Sequence, residues 1–172
     1  ISHVGFMLIG FSILRTEAIA SIMLYLFIYL FMNLAAFYMA IYMSNAYNAH
    51  TISEWNGMGK QSPILGIFMV ITLASLAGLP PTSGFIGKVY IFRNLFIDNS
   101  FIWLGLIAII NSVISLYYYF SIVKSMYFDE SIINKKEVIS IPIYSMIILL
   151  SSQNIFFYLY WSQLYEYIES LF

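Results

Sequence analysis

Polar residues interrupt this chain in only a few places, and the apolar stretches between them have lengths that matter in a bilayer. Ile1–Leu14 is apolar but would rise only about 21 Å as a helix, short of the ~30 Å hydrocarbon core, so the chain is expected to start inside a helix. It shows no basic segment followed by a small-residue cleavage site, so it does not read as a signal peptide. After the polar turn at Arg15 and Glu17, Ile19–Met43 is a 25-residue apolar run, long enough to span with tilt. Ser44–Ser62 is the longest polar segment, carrying His50, Glu54 and Lys60, and reads as a surface loop with His50 solvated. Phe101–Phe128 reads as a long tilted helix and Val138–Gln153 as a short last span, with Pro142 in its first turns. Ser151–Asn154 is expected to mark the exit from the membrane. Ile155–Phe172 mixes aromatic residues with Gln163, Glu166 and Glu169, as befits a segment lying flat in the interface.

One apolar stretch is broken. Residues 64–97 would form a single span were it not for Gly78, Pro80, Pro81, Gly84 and Gly87. Neither proline can donate to a helical ladder, and each disfavours helix at the preceding residue, so carbonyls near Ala74–Gly78 are left without intrahelical partners. Hydrocarbon tolerates freed backbone only where protein or a hydrated cavity covers it. The pieces Ile64–Leu79 and Phe85–Ile97 measure about 24 and 20 Å, so the second cannot span alone; a broken single span and two stubs dipping from one side both remain open. Thr82 or Ser83 is expected to cap the second half-helix, which places Lys88 about one turn inside it. An ammonium at that depth costs roughly 2.5–3.5 kcal/mol, which points to a polar pathway; a lysine snorkelling to the surface is the plainer alternative.

The fold class is therefore all-α, a polytopic transmembrane helix bundle of about five spans with one discontinuous helix: 1–14, 19–43, 64–97 (broken at 78–84), 101–128 and 138–153, with 155–172 interfacial. Hydrophobic residues make up 62% of the chain and charged ones 9%, against roughly 25% charged in soluble domains, so a water-facing surface cannot be built. Zero cysteines exclude thiolate-held iron–sulfur clusters, disulfides and Cys-type zinc sites. There is no phosphate-binding glycine loop and no Ser/His/Asp constellation, so no cofactor or metal site is expected in this chain. The scattered cations carry no nucleic-acid signal. With five crossings, Lys60, Lys124, Lys135 and Lys136 share one side and Arg15 and Arg93 the other, which puts the lysine side in the matrix or cytoplasm.

Leu76-Ala77-Gly78-Leu79-Pro80-Pro81-Thr82-Ser83-Gly84-Phe85-Ile86-Gly87-Lys88-Val89-Tyr90 resembles the discontinuous-helix signature of subunit N of bacterial NADH-quinone oxidoreductase, called NADH dehydrogenase subunit 2 in mitochondria. Ile1-Ser2-His3-Val4-Gly5-Phe6 resembles the family's Ser-His-x-Gly-aromatic segment, and Ser115-Leu116-Tyr117-Tyr118-Tyr119 with Met126-Tyr127-Phe128 resembles its next helix. The family often has an arginine where Ser121 stands here. The resemblance covers the family's C-terminal part. It implies a proton-translocating membrane-arm subunit of respiratory complex I, with NADH, FMN, iron–sulfur clusters and ubiquinone bound elsewhere in the complex. The Ile-, Phe- and Tyr-rich, cysteine-free composition leans towards a mitochondrial genome, so the expected location is the mitochondrial inner membrane, with a bacterial plasma membrane as the alternative. The expected partners are other membrane-arm subunits, membrane lipids, and a separate chain that supplies the N-terminal half and packs against the first helix and the broken one at Gly84 and Gly87.

Lys88 is the candidate proton-transfer residue. His3 either passes a proton or hydrogen-bonds a neighbouring helix, and the resemblance places it on the family's hydrophilic axis. Asn111, Ser115 and Tyr118 recur at four- and three-residue steps as a polar stripe that either lines a water chain or packs; Lys124 lies near the exit. Asn33 reads as interhelical glue. No Asp or Glu falls within a span, so a carboxylate partner for Lys88 would come from another polypeptide. The alternative functions are a monovalent cation/proton antiporter or membrane-bound hydrogenase subunit, and a non-pumping membrane scaffold.

Overall fold

The computed structural model describes residues 1–13, 15–97, 102–130 and 140–171. Its helices are α1 (Ser2–Phe11), α2 (Thr16–Tyr47), α3 (Met58–Gln61), α4 (Pro63–Ala77), α5 (Ser83–Ile97), α6 (Ile102–Phe128), α7 (Ile141–Leu159) and α8 (Trp161–Glu169), with a 3₁₀ turn at Ile52–Trp55. Among them α2, α6 and α7 are long and apolar enough to cross a membrane unaided. Leu14, Asp98, Asn99, Lys135, Lys136 and Val138, which the sequence assigns to a helix end, turns, the lysine-rich side and the start of the last span, lie outside the described residues.

α2 is the axis of the bundle. It is 32 residues long, about 48 Å at the helical rise, and so projects beyond the hydrocarbon. Glu17 in its first turn suits the positive end of the helix dipole, and Asn48 in the left-handed region closes the other end. Along it a row of buried residues, from Ala20 and Leu24 through Met32 and Met39 to Met43, forms the main core with residues of α4, α7 and α8.

α4 and α5 run antiparallel to α2 in series. Near the C-terminal end of α2, Tyr47 Oη and Ser62 Oγ lie 2.8 Å apart; midway, Ser75 Oγ donates to Met32 Sδ at 3.1 Å; near the N-terminal end, Asn94 Nδ2 donates to Ser21 Oγ at 2.7 Å. The two half-helices thus enter at one end of α2 and leave at the other, the geometry of one interrupted crossing rather than two stubs from one side.

Two stretches differ from their sequence reading. Ser44–Ser62 is largely folded onto the end of α6: Ser125 Oγ donates to the Ile52 carbonyl at 2.8 Å and to Asn56 Oδ1, and the Gly57 amide donates to the Ser125 carbonyl at 3.1 Å. Within it His50 lies 2.8 Å from Ser44 Oγ through Nδ1 and 3.1 Å from Asn48 Oδ1 through Nε2. The second difference is that α7 does not end at Ser151–Asn154 but runs on to Leu159. Ser151 and Asn154 are buried there: Ser151 Oγ lies 3.4 Å from Thr72 Oγ1 of α4, an interhelical contact, and Asn154 Nδ2 donates back to the Ser151 carbonyl at 3.0 Å, so these two residues are packed inside the bundle. α8 folds back and buries Tyr165 against Tyr90 of α5, their rings 4.4 Å apart.

Candidate functional site

The break in the crossing is built from backbone rules. α4 starts with Pro63 in its first turn and stops at Gly78, whose φ of 81° lies in the left-handed region where a Cβ is penalised. The Gly78 and Leu79 amides both turn back to the Ala74 carbonyl at 3.0 Å, closing the helix end. α5 begins at Ser83, after the Pro80–Pro81 turn. Thr82 does not cap it with its side chain: that hydroxyl donates backwards to the Leu79 carbonyl at 2.6 Å. The capping acceptor comes from the other half-helix, where Ser75 Oγ receives the Gly84 amide at 3.2 Å.

Closing the helix end leaves the Leu76 and Ala77 carbonyls to be satisfied, and Lys88 satisfies them. Its Nζ donates to the Ala77 carbonyl at 2.7 Å, to Ser112 Oγ at 3.1 Å and to the Leu76 carbonyl at 3.4 Å. An ammonium has three N–H groups, and all three are used. The C-terminal end of α4 carries partial negative charge, which favours the cation. The Phe6 ring lies 5.1 Å from Nζ and covers the site from α1. Lys88 is 4% exposed, so it is a buried lysine rather than a snorkelling one.

His3 is also buried. Its Nδ1 lies 2.6 Å from Tyr25 Oη and its Nε2 3.1 Å from Tyr119 Oη. A tyrosine hydroxyl both donates and accepts, so the imidazole is bracketed by two groups that suit either tautomer. Tyr25 is shared by both parts of the site. Phe6 packs edge-on to it, and it occupies the space beside Gly87, where a Cβ would lie 2.4 Å from the ring. Gly84 is tighter still, since a Cβ there would sit 1.8 Å from the Ser75 carbonyl oxygen. The close approach expected at these two glycines is thus made within the chain, to α4 and α2, and a second polypeptide is not what they accommodate.

A cleft of about 410 Å³ opens between α1, α2 and α6, lined among others by Ser2, His3, Asn33, Asn111, Ser115 and Tyr118. Ser2 Oγ and Ser115 Oγ lie 2.9 Å apart across it, and Ser115 Oγ donates to the Asn111 carbonyl at 2.8 Å. The predicted stripe of Asn111, Ser115 and Tyr118 therefore faces one cleft. Asn111 and Ser115 line the cleft, while Tyr118 is 65% exposed at its rim. Lys124 is exposed near the far end of α6, 12 residues or about 18 Å beyond Ser112, and the fold does not bring it to the site. The sequence reading missed Ser112, Tyr119 and Tyr25. The first two sit one position beyond Asn111 and Tyr118, so a stripe drawn at 112, 115 and 119 fits the helical period as well and would have found them.

Long apolar helices around a helix interrupted at a buried lysine define a multi-pass membrane protein of the discontinuous-helix class, in which such breaks surround ion sites. The chain belongs to the NADH:quinone oxidoreductase/Mrp antiporter transmembrane family, whose model matches residues 1–115. It is 40% identical over 133 residues to NADH-quinone oxidoreductase subunit N of Chlorobium chlorochromatii (strain CaD3), a match covering 77% of this chain and 26% of the relative. The same subunit of Wolbachia sp. subsp. Brugia malayi (strain TRS) is 40% identical over 130 residues, covering 76% of this chain and 27% of the relative. The chain thus spans about a quarter of the length of the curated relatives it matches. Its fold is similar to one in a solved structure described as respiratory complex I from Thermus thermophilus with bound Aureothin, with a TM-score of 0.65 and 16% identity over 96% of this chain and 43% of that one.

Proposed function

We propose that this chain is part of a proton-translocating membrane-arm subunit of NADH:quinone oxidoreductase, in which Lys88 is a proton station. The observation that carries the reading is the Lys88 ammonium seated on the freed carbonyls of Leu76 and Ala77 at a helix break, in a chain of this family. Family membership, the 40% identical subunit N relatives and the fold likeness support the assignment to that enzyme. Oxidation of NADH and reduction of quinone, with the FMN, iron–sulfur clusters and ubiquinone they need, belong to other subunits.

Moving Lys88 off the end of α4 would strip two of its three acceptors, so a small rearrangement of the break changes how well the cation is held. His3, held between Tyr25 and Tyr119, is the neighbouring relay group, and the cleft lined by Ser2, Asn33, Asn111 and Ser115 would hold water leading to it. Polar groups in that cleft would be costly against lipid. A separate chain supplying the N-terminal half of the subunit, with an embedded carboxylate of its own, would cover it at α1 and α6. The Ile-, Phe- and Tyr-rich, cysteine-free composition favours a mitochondrial inner membrane location, while the relatives named above are bacterial and fit a bacterial plasma membrane.

The test is Lys88→Met in the assembled enzyme in proteoliposomes. Proton uptake driven by NADH oxidation should be lost while the complex still assembles on native gels; normal pumping would overturn the reading.

A further inference from the structure

Where α2 begins and α5 ends, a cleft of about 500 Å³ is lined by Arg15, Glu17, Arg93, Asn94, Tyr165 and Glu169. That volume falls within the about 300–1,000 Å³ typical of small-molecule sites. Its floor is already satisfied: Asn94 Nδ2 donates to Ser21 Oγ at 2.7 Å and to the Glu17 carbonyl at 3.2 Å, and Ser21 Oγ donates to the same carbonyl at 2.8 Å. The walls are not. Two guanidinium groups and two carboxylates share the cleft, and among the described residues none of the four is ion-paired with another. Apolar surface starts at the rim, where Ile97 lines the cleft at 57% exposure and Phe96 beside it is 48% exposed.

The cleft lies at the end of the bundle where α2 and α5 emerge, which is headgroup level for a chain that spans the membrane. An occupant there must offer both signs of charge at once. We propose that the cleft binds the headgroup of an ethanolamine phospholipid, with Arg15 and Arg93 on the phosphate, Glu17 and Glu169 on the ammonium, and the acyl chains descending past Phe96 and Ile97. Guanidinium forks match phosphate oxygens. A primary ammonium offers three N–H groups to carboxylates and to the Tyr165 hydroxyl, whereas the quaternary nitrogen of choline offers none. An anionic headgroup without a cation would satisfy the arginines but leave the two carboxylates facing like charge.

The experiment places the photocrosslinker p-benzoylphenylalanine at Ile97 in the assembled complex. The complex is held in nanodiscs of equimolar phosphatidylethanolamine, phosphatidylcholine and phosphatidylglycerol, and the crosslinked lipid is identified by mass spectrometry. Phosphatidylethanolamine adducts should exceed each of the others about tenfold, the size of effect one charge-assisted hydrogen bond confers. Glu17→Gln with Glu169→Gln should move adducts towards phosphatidylglycerol, and Arg15→Gln with Arg93→Gln should lower phosphatidylethanolamine adducts about tenfold. Adducts in proportion to the three lipids, dominance of phosphatidylcholine or phosphatidylglycerol, or no lipid adduct, as in a water-filled vestibule, would each overturn the proposal. The unsubstituted side chains already decide among these outcomes, so the result stands even if a double variant fails to assemble.

Discussion

α2 and α6 are the two longest helices, similar in hydrophobicity and opposite in use. α2 buries residues along its whole length, many of them small or slender, such as Ala18, Ala20, Ser21, Ala35 and Met39. α6 buries only Gly105, Ala108, Ser115, Ser125 and Met126, and leaves Trp103, Leu106, Ile110, Val113 and Tyr117 more than half exposed. In water such an outer face would be a liability; in hydrocarbon it costs nothing, and close packing rather than hydrophobicity decides which side turns inward. On α6 small and polar residues therefore mark most of the inward side and large apolar ones the boundary, whereas α2 also buries Leu24, Ile28 and Met32.

One methyl group added or two removed breaks or sharpens that contrast. Gly84→Ala places a Cβ against the Ser75 backbone carbonyl in the seam beside α2 and should cost about 3 kcal/mol, with assembled complex on native gels falling to a small fraction. Val113→Ala on the outer face of α6 should stay within about 0.5 kcal/mol and assemble normally; equal losses at both sites would erase the distinction. Next in size is Gly78→Ala. It should cost about 1 kcal/mol for the left-handed backbone and push a Cβ to within 2.9 Å of Lys88 Nζ, so pumping should fall several-fold with most of the complex still assembled.

On the inward side of α6, Ser112→Ala removes the only side-chain oxygen on the Lys88 ammonium among the described residues. An interhelical hydrogen bond of about 0.6–2 kcal/mol predicts a few-fold loss of pumping at unchanged assembly, while Ser121→Ala, on an exposed position of the same helix, should have no effect.

The smallest effect lies outside the bilayer. The Glu54 carboxyl accepts the Thr51 amide at 2.8 Å and the His50 amide at 2.6 Å, and these bonds hold it below the usual carboxylate range. With the folded value depressed, its contribution is full above the unfolded value of about 4.3 and is lost as pH falls through the lower folded one. Hydrogen exchange at the His50 and Thr51 amides should therefore lose protection in that acid range, and Glu54→Gln should remove the pH dependence; an unchanged acid profile in the variant would count against the cap.

The helix break was legible because its causes are local. Two prolines, a glycine free to adopt positive φ and a lysine too costly to leave in hydrocarbon all fall within 11 residues of one another, from Gly78 to Lys88. Legibility failed where one residue type serves two purposes. Ser151–Asn154 read as an exit because polar residues avoid lipid, but Ser151 avoids it equally well against Thr72 of another helix. Gly84 and Gly87 read as contacts for a second chain because close approach is visible in a glycine, whereas the identity of what approaches is not.

Sequence alone determined that the chain is helical and membrane-embedded, that an apolar run is interrupted between Gly78 and Ser83, and that Lys88 lies just beyond the interruption. Each of these follows from run length, backbone restriction or the cost of charge in hydrocarbon, and all act over a few consecutive residues. That the two halves make one crossing was decided by their contacts at opposite ends of α2. Tertiary structure alone decided that Ser75 rather than Thr82 caps α5, that Ser112 rather than Asn111 reaches Lys88, and that Tyr25 and Tyr119 bracket His3. Those pairings join residues as far apart as 116 positions, as with His3 and Tyr119. In a bundle whose helices are apolar on every side, the rotation of each helix about its axis is set by which small and polar residues its neighbours present, and that information lies on other helices.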